Sequence, residues 1–345
     1  MLKVDNSITY NGRTFRTSLK HPLTDDEWKD IVAWLQRKPE LPDVEANIKR
    51  LETGGKQMTE VTNYFFKDLM QKVRNGQDAF TIADSFVHKP IIEYFAAKID
   101  VNEKVFPKRY PMGQLIESAM RLCGVRCCRK PSQFPLKTCH AILDEYLTDG
   151  GNWYDPCMGW GARMVAAWQR KNVAYYGTDT NEELYNRLCE LAKLLNEHHE
   201  FLFDIRQFSA ASLQNGWENK MDLCFTSPPY FNLEYYEGKN TSATPETSYE
   251  EWCDNFLQPV FKNCYAYLKT GGVMAWNIKD VYTGKKWWPL VKDSIKFAEA
   301  TGFTFEDTRT LKNIKRPFGV RGWYREAKEG MNPNADEMIL IFRKS

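Results

Sequence analysis

The residues best suited to chemistry in this 345-residue chain are five in a row, Thr226-Ser227-Pro228-Pro229-Tyr230. Two consecutive prolines fix two φ angles and remove two amide donors, so the stretch is stiff and presents carbonyl acceptors without competing N–H groups. Such a corner suits an amino group. The exocyclic amine of an aromatic base is a poor nucleophile because its lone pair is delocalised into the ring. Hydrogen bonds accepted from its two hydrogens localise that pair towards an incoming electrophile. Ser227 Oγ and the Pro228 carbonyl are the candidate acceptors, and Tyr230, with Phe231 beside it, offers aromatic faces for the ring.

A second constellation lies upstream, at Asp155-Pro156-Cys157-Met158-Gly159-Trp160-Gly161. Gly159 and Gly161 permit a tight turn and let a ligand approach bare backbone. The dinucleotide pattern G-x-G-x-x-G is not completed, because Arg163 and Met164 stand where the third glycine would be sought, so a pyrophosphate is not the natural guest. Asp179, in Gly177-Thr178-Asp179, follows at the spacing from which a carboxylate accepts both hydroxyls of a ribose. Together these residues predict a ribose-containing ligand that lacks a pyrophosphate.

Both constellations need strands to aim them, and the apolar runs supply candidates. Strands are predicted at 152–154, 174–176, 201–208, 221–225 and 272–278, with a closing hairpin pair at 303–310 and 338–342. Helices at 162–169, 182–196 and 249–268 fall between them, the pattern of βαβ units around an open, mostly parallel α/β sheet of seven strands. Such sheets bind ligands beyond the carboxyl ends of their strands, where the glycine turn and the diproline corner both fall. Residues 1–110 read as a mainly helical accessory region with a short extended start. A helix opens at Thr24-Asp25-Asp26-Glu27 and is broken by Pro39 and Pro42; others are predicted at 43–51, 61–73 and near 91–97. Residues 111–345 are then the catalytic domain. There is no internal repeat and no low-complexity tract.

Composition sets the outer bounds. With 43% apolar and 14% aromatic residues the chain has ample material for a folded core. Forty-seven Lys and Arg against 45 Asp and Glu leave a net charge of +2, so any surface for a polyanion must come from local clustering. Two runs qualify. Residues 121–140 carry Arg121, Arg126, Arg129, Lys130 and Lys137 with no acid, and residues 308–325 carry Arg309, Lys312, Lys315, Arg316, Arg321 and Arg325, also with no acid. By contrast residues 1–110 hold 18 basic and 16 acidic side chains, which is no basic arm. Nine cysteines, an odd number, suit reduced thiols in the cytoplasm, and no apolar run is long enough for a membrane span. Cys123, Cys127, Cys128, Cys139 and His140 cluster in sequence but lack paired C-x-x-C knuckles, so no metal is predicted.

Asp-Pro-x-x-Gly-x-Gly after the first strand, with an acid ending the second, resembles the class I S-adenosylmethionine-dependent methyltransferases. The corner at Thr226 to Tyr230 resembles motif IV of the amino-group DNA methyltransferases, in which serine in the second place of the pentad is typical of cytosine-N4 enzymes and Asp or Asn of adenine-N6 enzymes. Pro131-x-x-Phe134-Pro135 resembles motif X, and Ser209-Ala210 stands where motif III contacts adenine. The resemblance covers about residues 130 to 345, the strongest overall likeness being to DNA methylases carried by bacteriophages. It implies a Rossmann-like class I methyltransferase fold and S-adenosylmethionine as cofactor, held by Pro135, Asp155, Pro156, Cys157, Gly159, Gly161, Asp179, Ser209 and Ala210. It further implies Ser227, Pro228, Pro229 and Tyr230 as the catalytic set, acting on cytosine N4 of DNA, or alternatively adenine N6, with a duplex base flipped out to reach them. Arg126, Arg129, Lys130, Lys315, Arg316, Arg321 and Arg325 would then meet phosphates. The contrasting expectation is a nucleic-acid-binding module that keeps the fold without turnover, against which an intact Ser-Pro-Pro-Tyr argues.

Overall fold

The structure, a computed structural model, describes residues 6–10, 13–17, 22–74, 79–100, 106–107, 109–123, 128, 131–231, 233, 242–244, 246–283, 286–310 and 337–345. An antiparallel hairpin, β1 (Asn6–Tyr10) and β2 (Arg13–Thr17), precedes five helices. The first, α1 (Asp25–Gln36), begins with a capping box in which the Glu27 amide donates to Thr24 Oγ1 and the Thr24 amide to the Glu27 carboxylate. α2 (Leu41–Glu52) starts earlier than expected: Pro42 sits in its first turn, where the missing N–H has no helical partner to lose, so it opens the helix instead of ending the one before. α3 (Thr59–Lys72), α4 (Lys89–Asp100) and α5 (Met112–Cys123) follow, the last unanticipated.

The remainder runs α6 (Leu136–Tyr146), β3 (Gly151–Asp155), α7 (Ala162–Trp168), β4 (Val173–Asp179), α8 (Glu182–His198), β5 (Phe203–Gln207), β6 (Met221–Thr226), α9 (Tyr249–Trp252), α10 (Gln258–Tyr267), β7 (Leu268–Ile278), β8 (Val281–Thr283), β9 (Lys286–Trp288), α11 (Leu290–Thr301), β10 (Phe303–Thr310) and β11 (Met338–Lys344). A π turn, Cys253–Leu257, joins α9 to α10. It has a local cause, since Pro259 cannot donate to the carbonyl four residues back and the backbone widens ahead of it.

Seven strands form one sheet in the order β10-β11-β7-β6-β3-β4-β5, parallel from β5 to β7 and antiparallel at β11 and β10. The small β8–β9 hairpin stands apart and was not foreseen. Alternation within each strand sends neighbours to opposite cores. Trp153, Leu223, Phe225, Val273, Ala275, Ile339 and Ile341 pack on one face with α6, α7 and α8. Tyr154, Cys224, Met274, Trp276, Leu340 and Phe342 pack on the other with α9 to α11. The first face also takes Val44, Ile48, Leu51, Val61, Phe65 and Phe66 of α2 and α3, so these two helices share the sheet's core. α1, α4 and α5 build a third cluster around Phe80, Phe95 and Ile116.

One polar clamp ties α3 to α8. The Arg187 guanidinium grips the Asp68 carboxylate at both ends (2.5 and 2.8 Å), and Lys38 Nζ reaches the same carboxylate at 2.8 Å. Burial works to raise the pKa of Asp68, but the hydrogen bonds and charges of Arg187 and Lys38 outweigh it and hold the group well below the usual carboxylate range. A depressed folded pKa contributes stability above the unfolded value and loses it as the pH falls. Asp68→Asn is therefore expected to cost about 1 kcal/mol at pH 7, discounted for solvent screening, with the difference from the parent closing as the pH falls below about 4. Thermal melts of both proteins across pH 3 to 8 check this.

Candidate active site

The parallel register brings the two constellations side by side. β3 and β6 are neighbours, with Tyr154 opposite Cys224, so the turn after Asp155 and the corner after Thr226 emerge from the same edge of the sheet. Helices lead away to opposite faces at this point, which is the switch where open α/β sheets form a crevice. β4 lies on the other side of β3, with Asp155 opposite Gly177, which brings Asp179 to the same edge.

The glycine turn is pinned from below. Thr178 Oγ1 donates to the Pro156 carbonyl at 2.8 Å, and the Met158 amide to the Thr178 carbonyl at 3.1 Å. Asp155, predicted as a cofactor contact, is 0% exposed and lies beneath the turn. One of its oxygens accepts from Arg163 Nε (2.7 Å) and the Tyr175 hydroxyl (2.6 Å), the other from the Cys157 amide (3.3 Å). Arg163 also donates to the Cys157 carbonyl. Arg163 thus stands where a third glycine was sought and makes the turn rigid. Burial disfavours its charge, but Asp155 beside it more than compensates and raises its pKa. Burial pushes the Cys157 thiol the other way from reactivity, well above the ordinary thiol range.

The two glycines have different jobs. Gly161 opens α7 at φ +78°, and a side chain there would meet Leu191 and Leu188 of α8 at 3.1 and 3.2 Å, so this glycine serves helix packing rather than ligand approach. Gly159 is at φ +54° with no atom nearer than 3.9 Å to the position a Cβ would take. Space for a ligand therefore opens at Gly159. The Gly159 amide donates to Asp179 Oδ2 at 3.3 Å and the Asn181 amide to Oδ1 at 3.1 Å. Asp179 is half-buried, and burial is the main cause that raises its pKa to about 6, against the lowering by those two amides. Beside it, the Phe208 amide donates to the Asp179 carbonyl, bringing Ser209 and Ala210 to the end of β4. Ser209 is half-buried, whereas Ala210 is buried with its carbonyl held by Asn263. Pro135 is exposed at the start of α6. The segment before it reaches the turn through Gln133 Nε2, which donates to the Trp160 carbonyl at 2.9 Å. Gln133 Oε1 is buried without a hydrogen-bond partner among the described residues.

At the corner, Ser227 and Pro229 are half-buried and Pro228 is buried. Tyr230 is 8% exposed, with its hydroxyl donating to Glu337 Oε1 at 2.9 Å. Phe231 is 4% exposed, wedged between Tyr249 and Trp288 at ring distances of 5.2 and 5.0 Å, so it is a packing residue and not a second stacking face. Two side chains that sequence reading did not single out complete the corner. Asn277, on β7, donates from Nδ2 towards Ser227 Oγ (3.0 Å), the Tyr230 hydroxyl (2.9 Å) and Glu337 Oε1 (3.1 Å). Asn277 lies in the predicted strand, but nothing in its neighbourhood marks it as a partner of Ser227. Glu337 precedes β11.

The residues predicted to meet phosphates, Arg126, Arg129, Lys130, Lys315, Arg316, Arg321 and Arg325, lie outside the described residues. Of the same two runs, Arg121 and Lys137 are exposed, while Arg309 is paired with Glu145 and Asp307. Of the cysteine cluster, Cys128 Sγ donates to the Thr81 carbonyl, Cys139 is buried, and His140 faces Gln169 at 2.7 Å, while Cys127 lies outside the described residues. Among the described residues no group of three or more His, Cys, Asp or Glu is arranged to hold a metal, and no helix is long and apolar enough to cross a membrane.

Comparison with known proteins adds a family. Residues 221–345 match the family described as DNA methylase. No curated protein matches the chain. Among solved structures, the [4+2]-cyclase SpnF is 14% identical, with a TM-score of 0.42 over 61% of this chain and 81% of that one. A TehB-like SAM-dependent methyltransferase from Corynebacterium glutamicum is 16% identical, with a TM-score of 0.36 over 60% and 88%. Magnesium protoporphyrin IX methyltransferase from Synechocystis is 12% identical, with a TM-score of 0.38 over 61% and 79%. These overlaps are too loose to carry an argument, and the fold rests instead on the strand order. The sheet has the strand order of a Rossmann-like class I methyltransferase fold, and residues 221–345, from β6 and its diproline corner to the C-terminal strand, are similar to the DNA methylase family.

Proposed function

We propose that the protein is an S-adenosylmethionine-dependent DNA methyltransferase that modifies the exocyclic amino group of a base, cytosine N4 in preference to adenine N6. The observation that supports this reading is the adjacency of β4, β3 and β6, which puts Asp179 and the open glycine turn beside the diproline corner. The residues fit the cofactor: Asp179 is a carboxylate beside the open backbone at Gly159, suited to accept from ribose hydroxyls, and Gln133 Oε1 is a buried acceptor in need of a donor. When bound, S-adenosylmethionine supplies an electrophilic methyl on a sulfonium. The protein's part is positioning: Ser227 Oγ and the Pro228 carbonyl accept the amine hydrogens, and no cysteine nucleophile or metal is needed. Asp155 and Arg163 act beneath the turn, as a brace for its backbone. Residues 111–345 carry this chemistry, with residues 1–110 as an accessory region and the basic runs as the DNA contact.

Ser227, at the place where the resembling motif carries serine in cytosine-N4 enzymes, favours cytosine N4, although the matched family covers both amino groups. Incubation of unmodified duplex DNA with protein and S-adenosylmethionine, digestion to nucleosides and mass spectrometry separate the two. N4-methylcytosine is expected; N6-methyladenine alone would overturn the choice of base, and no methylated nucleoside at all would leave the non-catalytic binding module.

A further inference from the structure

Asn277 is costly where it stands. It is 0% exposed in an apolar strand, between Trp276 and Ile278, and its Oδ1 has no hydrogen-bond partner among the described residues. An unpaired buried acceptor costs free energy that folding alone gives no reason to accept. Its Nδ2 faces three oxygens, those of Ser227, Tyr230 and Glu337, and Tyr230 closes a ring by donating to the same Glu337 oxygen. The strand pairing dictates this convergence. β7 runs beside β6, with Trp276 opposite Thr226, and beside β11, with Ile278 opposite Met338, so Asn277 spans from the serine on one side to the glutamate on the other.

We propose that Glu337 and Asn277 are positioning residues for methyl transfer, a deepening that rests on the function proposed above. Asn277 fixes Ser227 Oγ, and Glu337 sets a carboxylate two hydrogen bonds behind it, beside a corner whose own acceptors are all neutral. The need for that charge follows from the reaction. The amine nitrogen uses its lone pair to form the new N–C bond, the C–S bond of the donor breaks with its electrons kept on sulfur, and positive charge passes to the nitrogen. The nitrogen then sheds one proton to water. A fixed carboxylate nearby favours this shift of charge without having to reorganise. A cation, Lys279, already lies 6.0 Å from the centre of the Tyr230 ring, which makes an unbalanced positive charge at the amine harder to accommodate without Glu337.

Glu337→Gln tests the charge alone, because glutamine keeps an acceptor for Tyr230 and Asn277, so a purely structural tether survives it. Single-turnover rates are measured with methyl-labelled S-adenosylmethionine and unmodified duplex DNA. The rate is expected to fall roughly ten- to fifty-fold, while the dissociation constants for cofactor and DNA stay within about twofold and the thermal midpoint is held. Asn277→Leu, which removes both donors, is expected to slow transfer as well. A Glu337→Gln rate within about twofold of the parent, or a loss explained by weaker binding, overturns the proposal. A parent protein that binds S-adenosylmethionine yet transfers nothing to DNA brings down the functional reading itself, a result distinct from a parent-like rate in the variant.

Discussion

Replacing Ser227 by alanine is expected to lower kcat by about 100-fold or more while leaving the dissociation constant of S-adenosylmethionine within about twofold. The separation of the two quantities follows from the sheet. Ser227 sits at the end of β6, whereas Asp179, the carboxylate proposed to hold the ribose, and the open turn belong to β4 and β3, so the substitution removes the proposed amine acceptor and touches none of the proposed cofactor contacts. Folding is spared for a local reason. Asn277 Nδ2 has two hydrogens and three acceptors in reach, so after loss of Ser227 Oγ it still has the Tyr230 hydroxyl and Glu337, and the expected cost is about 1 kcal/mol or less. Steady-state rates on unmodified DNA, with cofactor titrations by calorimetry, check both quantities. A kcat within threefold of the parent would remove Ser227 from the catalytic set and leave the Pro228 carbonyl to act without it.

What could be read from the chain beforehand follows the range of the interactions involved. Strands such as Met221–Thr226 and Met338–Lys344 announce themselves because their residues alternate between two cores, and the diproline corner because its stiffness is written in adjacent residues. Thr24 with Glu27 forms a capping box from a signal four residues long. The failures are long-range. Asn277 meets Ser227 from 50 residues away and Glu337 meets Tyr230 from 107, and only the pairing of β6, β7 and β11 makes them neighbours. Asp155 shows the converse. Its motif position suggests a ligand, whereas in the fold Arg163 and Tyr175 share one of its oxygens and the Cys157 amide takes the other, and nothing local announces that the arginine turns inward beneath the backbone. The face of Phe231 is likewise covered by Tyr249, which opens α9, and by Trp288 at the end of β9. Pro42 is ambiguous for a simpler reason: a proline ends one helix and opens another equally well, and only the neighbouring chain decides which.

Asp179→Asn is expected to weaken S-adenosylmethionine binding by roughly 100-fold and, at pH 8, to make the ligand-free protein more stable by about 1–2 kcal/mol. The opposite signs have one origin. Burial at the end of β4 raises the carboxyl pKa to about 6, with only the Gly159 and Asn181 amides favouring its charge. A group whose folded pKa lies above its unfolded value contributes stability that is full below the unfolded pKa, near 4, and is lost as the pH rises through the folded value. Above about pH 6 the protein therefore carries a half-buried charge at a stability cost, and a neutral amide relieves it at the expense of one acceptor for the Gly159 N–H. The same charge is what two ribose hydroxyls need as an acceptor, so the parent's affinity should fall as the pH is lowered through about 6 while the variant's weaker affinity stays flat. Thermal melts of the free proteins at pH 4 and pH 8, paired with cofactor titrations at pH 5.5 and pH 8, measure both arms. Unchanged affinity in the variant would detach Asp179 from the ribose. A variant less stable than its parent at pH 8 would show that the two amide bonds outweigh the cost of burying the charge. Stability gained where binding is lost is the pattern expected of a residue held for its ligand and not for the fold.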